Sequence, residues 1–144
     1  MHQSIKNLNN IQNLIKANQE KTNNKKNIKT IAVSKTFEIS HINPLIDYGH
    51  TDFGENKIQE AIEKWTDIKK KNNKLSLHLV GKLQSNKTKL ALKIFDYIHS
   101  LDSEKLVNKI SEEQKKLEKK PKLFIQVNIG NEDQKSGVSP NKLK

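Results

Sequence analysis

The sequence contains no cysteine, which excludes a disulfide framework and any metal site built from thiolates. It also contains no arginine, because all 27 of its basic residues are lysine. No apolar run approaches the roughly 20 residues that a membrane-spanning helix requires. The first residues lack the apolar block of a signal peptide. We therefore expect a protein of the cytoplasm that does not associate with membranes.

The net charge of +11 raises nucleic acid as a partner. Three lysine clusters carry this charge, at residues 21–29, 69–74 and 115–122. None of them contains the interleaved aromatic residues on which bases stack. Arginine, the residue that reads phosphate and guanine with two parallel hydrogen bonds, is missing. We interpret the clusters as solvated helix ends and loops with no specific nucleic-acid partner, and an RNA-associated protein remains an alternative.

The spacing of apolar residues predicts helices and strands in alternation. The predicted helices lie at 4–20, 40–48, 56–70, 86–94 and 103–119, and the predicted strands at 28–34, 51–53, 75–80, 97–101 and 123–129. Ser40 and Ser103 suit helix N-caps, and Gly49 suits a helix end. The β-branched run at 28–34 is typical of a strand that is buried on both faces.

Regular alternation of this kind favours βαβ units around a parallel sheet. Two architectures fit the pattern: an open doubly wound sheet and a closed (β/α) barrel. A barrel needs eight units and typically about 250 residues. On length alone, 144 residues with five strands favour the open sheet.

In both architectures the functional groups gather at the carboxyl ends of the strands. Lys35 follows an apolar strand directly, so its stem is expected to be partly buried with its amine at the rim. A neutral lysine amine condenses with aldehydes. The alternative is a lysine that only reaches for solvent, and in a chain with 27 lysines the residues alone favour that alternative.

Several other kinds of site are absent from the sequence. It has no glycine-rich phosphate loop and no nucleophile elbow. Its five histidines show no metal-ligand spacing, so no metal site is expected. His78 lies inside a predicted strand, which favours a core or pocket histidine.

Four blocks at the strand ends resemble one known family. They read Ala-Val-Ser-Lys-Thr at 32–36, Phe-Gly-Glu-Asn at 53–56 with Gln-Glu at 59–60, His-Leu-Val-Gly-Lys-Leu-Gln-Ser-Asn-Lys at 78–87, and Gln-Val-Asn-Ile at 126–129 with Lys-Ser-Gly-Val at 135–138. In order and spacing these blocks are similar to those of the pyridoxal phosphate homeostasis proteins.

The resemblance implies a (β/α) barrel of the alanine-racemase N-terminal kind, with pyridoxal 5′-phosphate (PLP) as cofactor. It implies that Lys35 holds PLP as a Schiff base and that Asn56 sits beside the cofactor ring. His78, Leu83 and Ser85 would help to line the mouth of the barrel. Family members resemble carriers that buffer PLP without catalytic turnover, which makes apo forms of PLP enzymes the implied partners.

A racemase-like PLP enzyme is the alternative within the same resemblance. Such an enzyme needs a second acid/base group on the face of the cofactor opposite the lysine. The two tyrosines, Tyr48 and Tyr97, are predicted at a helix end and within a strand. Neither position is the carboxyl end of a strand, so the carrier is the preferred interpretation.

The sequence departs from the family pattern in its last part. In the family, later strands carry a serine-containing phosphate loop and an Arg-x-Gly segment, whereas this chain has no arginine and reaches only Lys144. We therefore expect one domain over residues 1–144, truncated at its C-terminus, with about five of the eight barrel strands. Its hold on the cofactor phosphate is expected to be weakened.

Overall fold

A computed structural model describes residues 1–143, and within them five α-helices alternate with five β-strands. The helices are α1 (Gln3–Lys21), α2 (Ile39–Asp47), α3 (Ile58–Lys71), α4 (Thr88–Ile94) and α5 (Glu104–Gln114), and the strands are β1 (Ala32–Val33), β2 (Asp52–Glu55), β3 (Ser76–Leu79), β4 (Tyr97–Leu101) and β5 (Lys122–Ile125). None of these helices combines the length and the apolar character that crossing a bilayer demands.

The five strands form one sheet in the order β1-β2-β3-β4-β5, and every neighbouring pair is parallel. A doubly wound sheet reverses its strand order at a switch point. This sheet does not reverse, so the open doubly wound architecture that length alone favoured is wrong. The order is that of consecutive (β/α) units of a barrel, as the resemblance implied.

The hydrophobic core lies between one face of the sheet and the helices packed on it. Phe53 of β2 and Leu77 of β3 meet Trp65 of α3 there, and all three side chains are buried. The Phe53 and Trp65 ring centroids are 4.9 Å apart. Full burial of a large apolar side chain contributes about 1.5–3 kcal/mol, so this layer fixes α3 against the sheet.

Local signals explain some of the helix ends. Ser103 caps α5, because its hydroxyl accepts a hydrogen bond from the Leu106 amide. Gly49 follows α2 with a φ of +98°, a conformation that favours glycine. The prediction that Ser40 caps α2 is wrong, since the helix begins at Ile39 and Glu38 holds the cap position.

The strands at the two edges of the sheet differ most from the sequence predictions. The strand predicted at 28–34 shrinks to Ala32–Val33, and Val33 is 48% exposed rather than buried on both faces. The cause is position, because β1 pairs only with β2 and has no neighbour on its other side. β5 is exposed along its whole length for the same reason. The helix predicted to reach residue 119 ends at Gln114.

Candidate functional site

Lys35 lies immediately beyond the carboxyl end of β1. Pairing with β2 continues to this point, because the Ser34 amide donates to the Gly54 carbonyl at 2.8 Å. The Ser34 side chain is buried against β2 and α3, whereas Lys35 is exposed. Within residues 1–143 the Lys35 amine makes no hydrogen bond or ion pair.

Lys35 is carried by a tight turn over residues 34–37, closed by a 3.2 Å hydrogen bond from the Phe37 amide to the Ser34 carbonyl. Thr36 has a φ of +66°, in the left-handed region that a β-branched residue rarely adopts. Its amide donates to Glu60 Oε1 of α3 at 2.8 Å. That hydrogen bond, followed by one from Lys64, holds the pKa of Glu60 below its usual value.

A buried carboxylate stands directly behind this turn. Glu55, the last residue of β2, is fully buried. Its Oε1 atom accepts hydrogen bonds from Ser34 Oγ at 2.7 Å, Trp65 Nε1 at 2.9 Å and Lys64 Nζ at 3.0 Å. Lys64 Nζ also donates to the Ser34 carbonyl at 3.0 Å and to Glu60 Oε1 at 3.1 Å.

Sequence reasoning assigned no role to Glu55, Glu60 or Lys64. Glu55 stands in the Phe-Gly-Glu-Asn block, and Glu60 and Lys64 are four residues apart, a spacing that places them on one face of a helix. These two signals could have pointed to the group.

Asn56 follows β2, next to the end of β1 that carries Lys35. It is half-buried, and its backbone packs against the end of β3. A Cβ atom at Gly81 would lie only 2.4 Å from the Asn56 carbonyl oxygen, so no side chain fits there. The structure therefore brings Lys35 and Asn56 to neighbouring strand ends, as the sequence predicted.

His78 lies inside β3, as the sequence predicted. It pairs in register with Gly54, is buried, and stacks on Tyr97 with ring centroids 4.2 Å apart. Its Nε2 atom is 2.9 Å from Asp52 Oδ1, and its Nδ1 atom is 3.0 Å from His99 Nε2. Both ring nitrogens of His78 therefore have partners within the sheet. Its part in holding a cofactor stays a prediction.

Burial changes the pKa values of the titratable side chains in this network. It lowers the pKa of His78 more than the Asp52 carboxylate raises it. It also lowers the pKa of His99, which His78 lowers further. Burial by itself raises the pKa of Asp52, but hydrogen bonds from His78, Lys29 and Thr51 together hold it below its usual value. The result is an ionised carboxylate beside neutral imidazoles.

Leu83 and Ser85 follow β3 in the chain, and Ser85 begins a short 3-10 helix at Ser85–Lys87. Leu83 is buried in the hydrophobic core, and the Ser85 carbonyl accepts a 2.8 Å hydrogen bond from the Thr88 hydroxyl. Both residues line a cleft of about 640 Å³. Their part in lining a cofactor site stays a prediction.

Comparison with known proteins gives related sequences over almost the whole chain. Residues 6–144 match the family described as alanine racemase, N-terminal domain. A pyridoxal phosphate homeostasis protein of Pasteurella multocida is 40% identical over 132 residues, which are 92% of this chain and 57% of that protein. Another, from Haemophilus influenzae, is 38% identical over 95% of this chain and 58% of its own length. The chain thus spans little more than half the length of these relatives.

Solved structures agree with the sequence matches. PipY of Synechococcus elongatus, solved with PLP bound, matches with a TM-score of 0.73 and 38% identity over 81% of this chain and 53% of its own. An unknown protein from Bifidobacterium adolescentis matches with a TM-score of 0.82 and 29% identity over 92% and 58% of the two chains. The resemblance to pyridoxal phosphate homeostasis proteins that the strand-end blocks indicated is confirmed. Because the family match covers all but the first five residues, this chain belongs to the alanine racemase N-terminal domain family.

Proposed function

We propose that this chain forms one PLP-binding domain, which holds PLP on Lys35 in the cytoplasm without catalytic turnover. The observation that carries the proposal is the position of Lys35, exposed and without a side-chain partner among residues 1–143, at the end of β1, with Asn56 at the end of the neighbouring strand β2. The relatives named pyridoxal phosphate homeostasis proteins, and PipY with PLP bound, support it.

The residues present fit the aldehyde end of PLP. When bound, PLP supplies an aldehyde whose carbon forms a C=N bond with a neutral lysine amine as one water molecule leaves. Lys35 would supply the amine nitrogen of this bond, and no hydrogen bond or ion pair of that nitrogen within residues 1–143 has to break first. Asn56 follows the neighbouring strand β2, and the missing Cβ of Gly81 lets the chain approach the Asn56 backbone closely.

The positions of the tyrosines support a carrier over a racemase. A racemase needs an acid/base group facing the cofactor from the side opposite the lysine. Tyr97 begins β4, at the amino end of the strand, and Tyr48 follows α2, where its hydroxyl donates to Asn9. Neither lies at the carboxyl edge with Lys35. We propose buffering of PLP and its delivery to apo forms of PLP enzymes.

A titration of the purified chain with PLP tests the proposal. We expect a saturable change in visible absorbance from the C=N bond, and loss of that change in Lys35→Met. Lys16→Met, which removes the same charge from the exposed surface of α1, should titrate like the unmodified chain. An undiminished, saturable signal in Lys35→Met would contradict the assignment.

A further inference from the structure

The two peptide groups that flank Lys35 are both held by α3. The group before Lys35 presents the Ser34 carbonyl, which accepts a hydrogen bond from Lys64 Nζ at 3.0 Å. The group after Lys35 presents the Thr36 amide, which donates to Glu60 Oε1 at 2.8 Å. The planes of these two peptide groups set φ and ψ of Lys35. The hydrogen bonds of Lys64 and Glu60, which we call the clamp, therefore fix the direction in which the Lys35 side chain leaves the backbone.

The residues of the clamp are also bonded to one another and to the core. Lys64 Nζ joins the two carboxylates, at 3.0 Å from Glu55 Oε1 and 3.1 Å from Glu60 Oε1. Glu55 is anchored in the core by the Trp65 indole. A left-handed threonine such as Thr36 persists only where its surroundings hold it, and Glu60 supplies the partner for its amide.

We infer that Glu60 and Lys64 are positioning residues, which aim the Lys35 amine at the aldehyde through the peptide groups on either side of it. The inference rests on the proposed function of Lys35. Neither residue touches PLP in this account. Their loss acts through Lys35, by letting its turn sample directions from which the amine cannot reach the aldehyde.

Glu60 gives the cleaner test of the pair, because its side chain is 29% exposed and its removal opens no cavity in the core. Glu63 provides a matched control on the same helix. It is exposed, it carries the same charge, and among residues 1–143 it accepts a hydrogen bond only from Gln59. Glu60→Ala and Glu63→Ala therefore change the charge of α3 equally, but only Glu60→Ala frees the Thr36 amide.

The first measurement is the rate at which the C=N bond forms after mixing with PLP. Misplacement of a reacting group by about 1 Å slows a reaction as much as a hundredfold, and we expect Glu60→Ala to be roughly tenfold to a hundredfold slower than the unmodified chain. Glu63→Ala should react at the unmodified rate. Glu60→Gln keeps an oxygen that can accept from Thr36, so it should recover most of the loss.

The second measurement is hydrogen exchange of the Thr36 amide, followed by nuclear magnetic resonance without PLP. Glu60→Ala should accelerate this exchange while the melting temperature stays close to that of Glu63→Ala. Unchanged exchange in Glu60→Ala, or an unchanged rate of C=N formation despite faster exchange, overturns the inference and leaves the proposed function intact. If the unmodified chain forms no C=N bond at Lys35, the proposed function itself fails.

Discussion

His78 Nε2 lies 2.9 Å from Asp52 Oδ1 in the wall of the sheet, and the His78 ring is only 1% exposed. An ionised carboxylate can only accept hydrogen bonds, so Nε2 of His78 carries the proton. Nδ1 of His78 is then an acceptor, and the Nε2–H group of His99 donates to it across 3.0 Å. The network is satisfied only while His78 is neutral, because a protonated Nδ1 of His78 could no longer accept the hydrogen bond from His99.

This network predicts that acidification destabilises the fold. Burial lowers the pKa of His78, so the unfolded chain takes up a proton below about pH 6.5 that the folded chain resists. Stability that is fully present above that pH is therefore lost as the pH falls toward the lowered pKa of the folded state. His99 acts in the same direction, and Asp52 does so at lower pH. Thermal melting between about pH 8 and pH 5 measures the effect.

Two variants distinguish the contribution of this network to the pH dependence of the melting temperature from that of other titratable groups. His78→Asn should show a smaller loss of melting temperature between the two pH values, because it removes the buried titrating ring. His41→Gln removes an exposed histidine on α2 and should keep the original pH dependence. Equal pH dependence in both variants would contradict the account.

The buried ion pair behind Lys35 predicts a large stability difference between two lysine substitutions on α3. Lys64→Met leaves the fully buried Glu55 without its counter-charge, which costs about 3–5 kcal/mol. Lys70→Met breaks a pair with Asp67 whose side chains are both exposed, which costs about 0–1 kcal/mol. The free energy of unfolding in urea measures both. Similar values for the two variants would show that Glu55 does not depend on Lys64.

The close approach of Gly81 to Asn56 predicts that a single methyl group is disruptive. Gly81→Ala places a Cβ 2.4 Å from a backbone oxygen that cannot swing away, and overpacking of this kind costs about 1–3 kcal/mol. Because Asn56 must move, the variant should also bind PLP more weakly. In Gly130→Ala the nearest atom is the end of the Glu132 side chain at 3.3 Å, and it can give way. Unfolding in urea and PLP titration compare the two, and equal behaviour would rule out the steric argument.

Much of the fold could be predicted from the sequence, because the spacing of apolar residues within a short segment indicates whether that segment is a helix or a strand. Helical spacing of apolar residues predicted α1 and α3 to within two residues at each end, and β4 matches its predicted bounds. The predicted strand ends placed Lys35 and Asn56 at one edge of the sheet, because residues that follow parallel strands lie at the same edge. Their roles toward a cofactor stay predictions. The motif blocks at the strand ends carried the family assignment.

The remaining features depend on which strands become neighbours. The run at 28–34 has the composition of a central strand, but β1 lies at an edge and pairs over two residues. The Phe-Gly-Glu-Asn block marks Glu55, but it does not show that the Glu55 side chain is buried. Its burial follows from Trp65 and Lys64, which α3 brings back to the sheet. The depth of His78 likewise required the register between β2 and β3.

The most direct measurement is the identity of the lysine that takes up PLP. The purified chain is incubated with PLP, the C=N bond is trapped by borohydride, and peptide mass spectrometry follows the modification of each of the 27 lysines. The account predicts that Lys35 is modified at PLP concentrations that leave the other lysines untouched. Modification spread evenly over the exposed lysines, or concentrated on another lysine while Lys35 stays free, would contradict it.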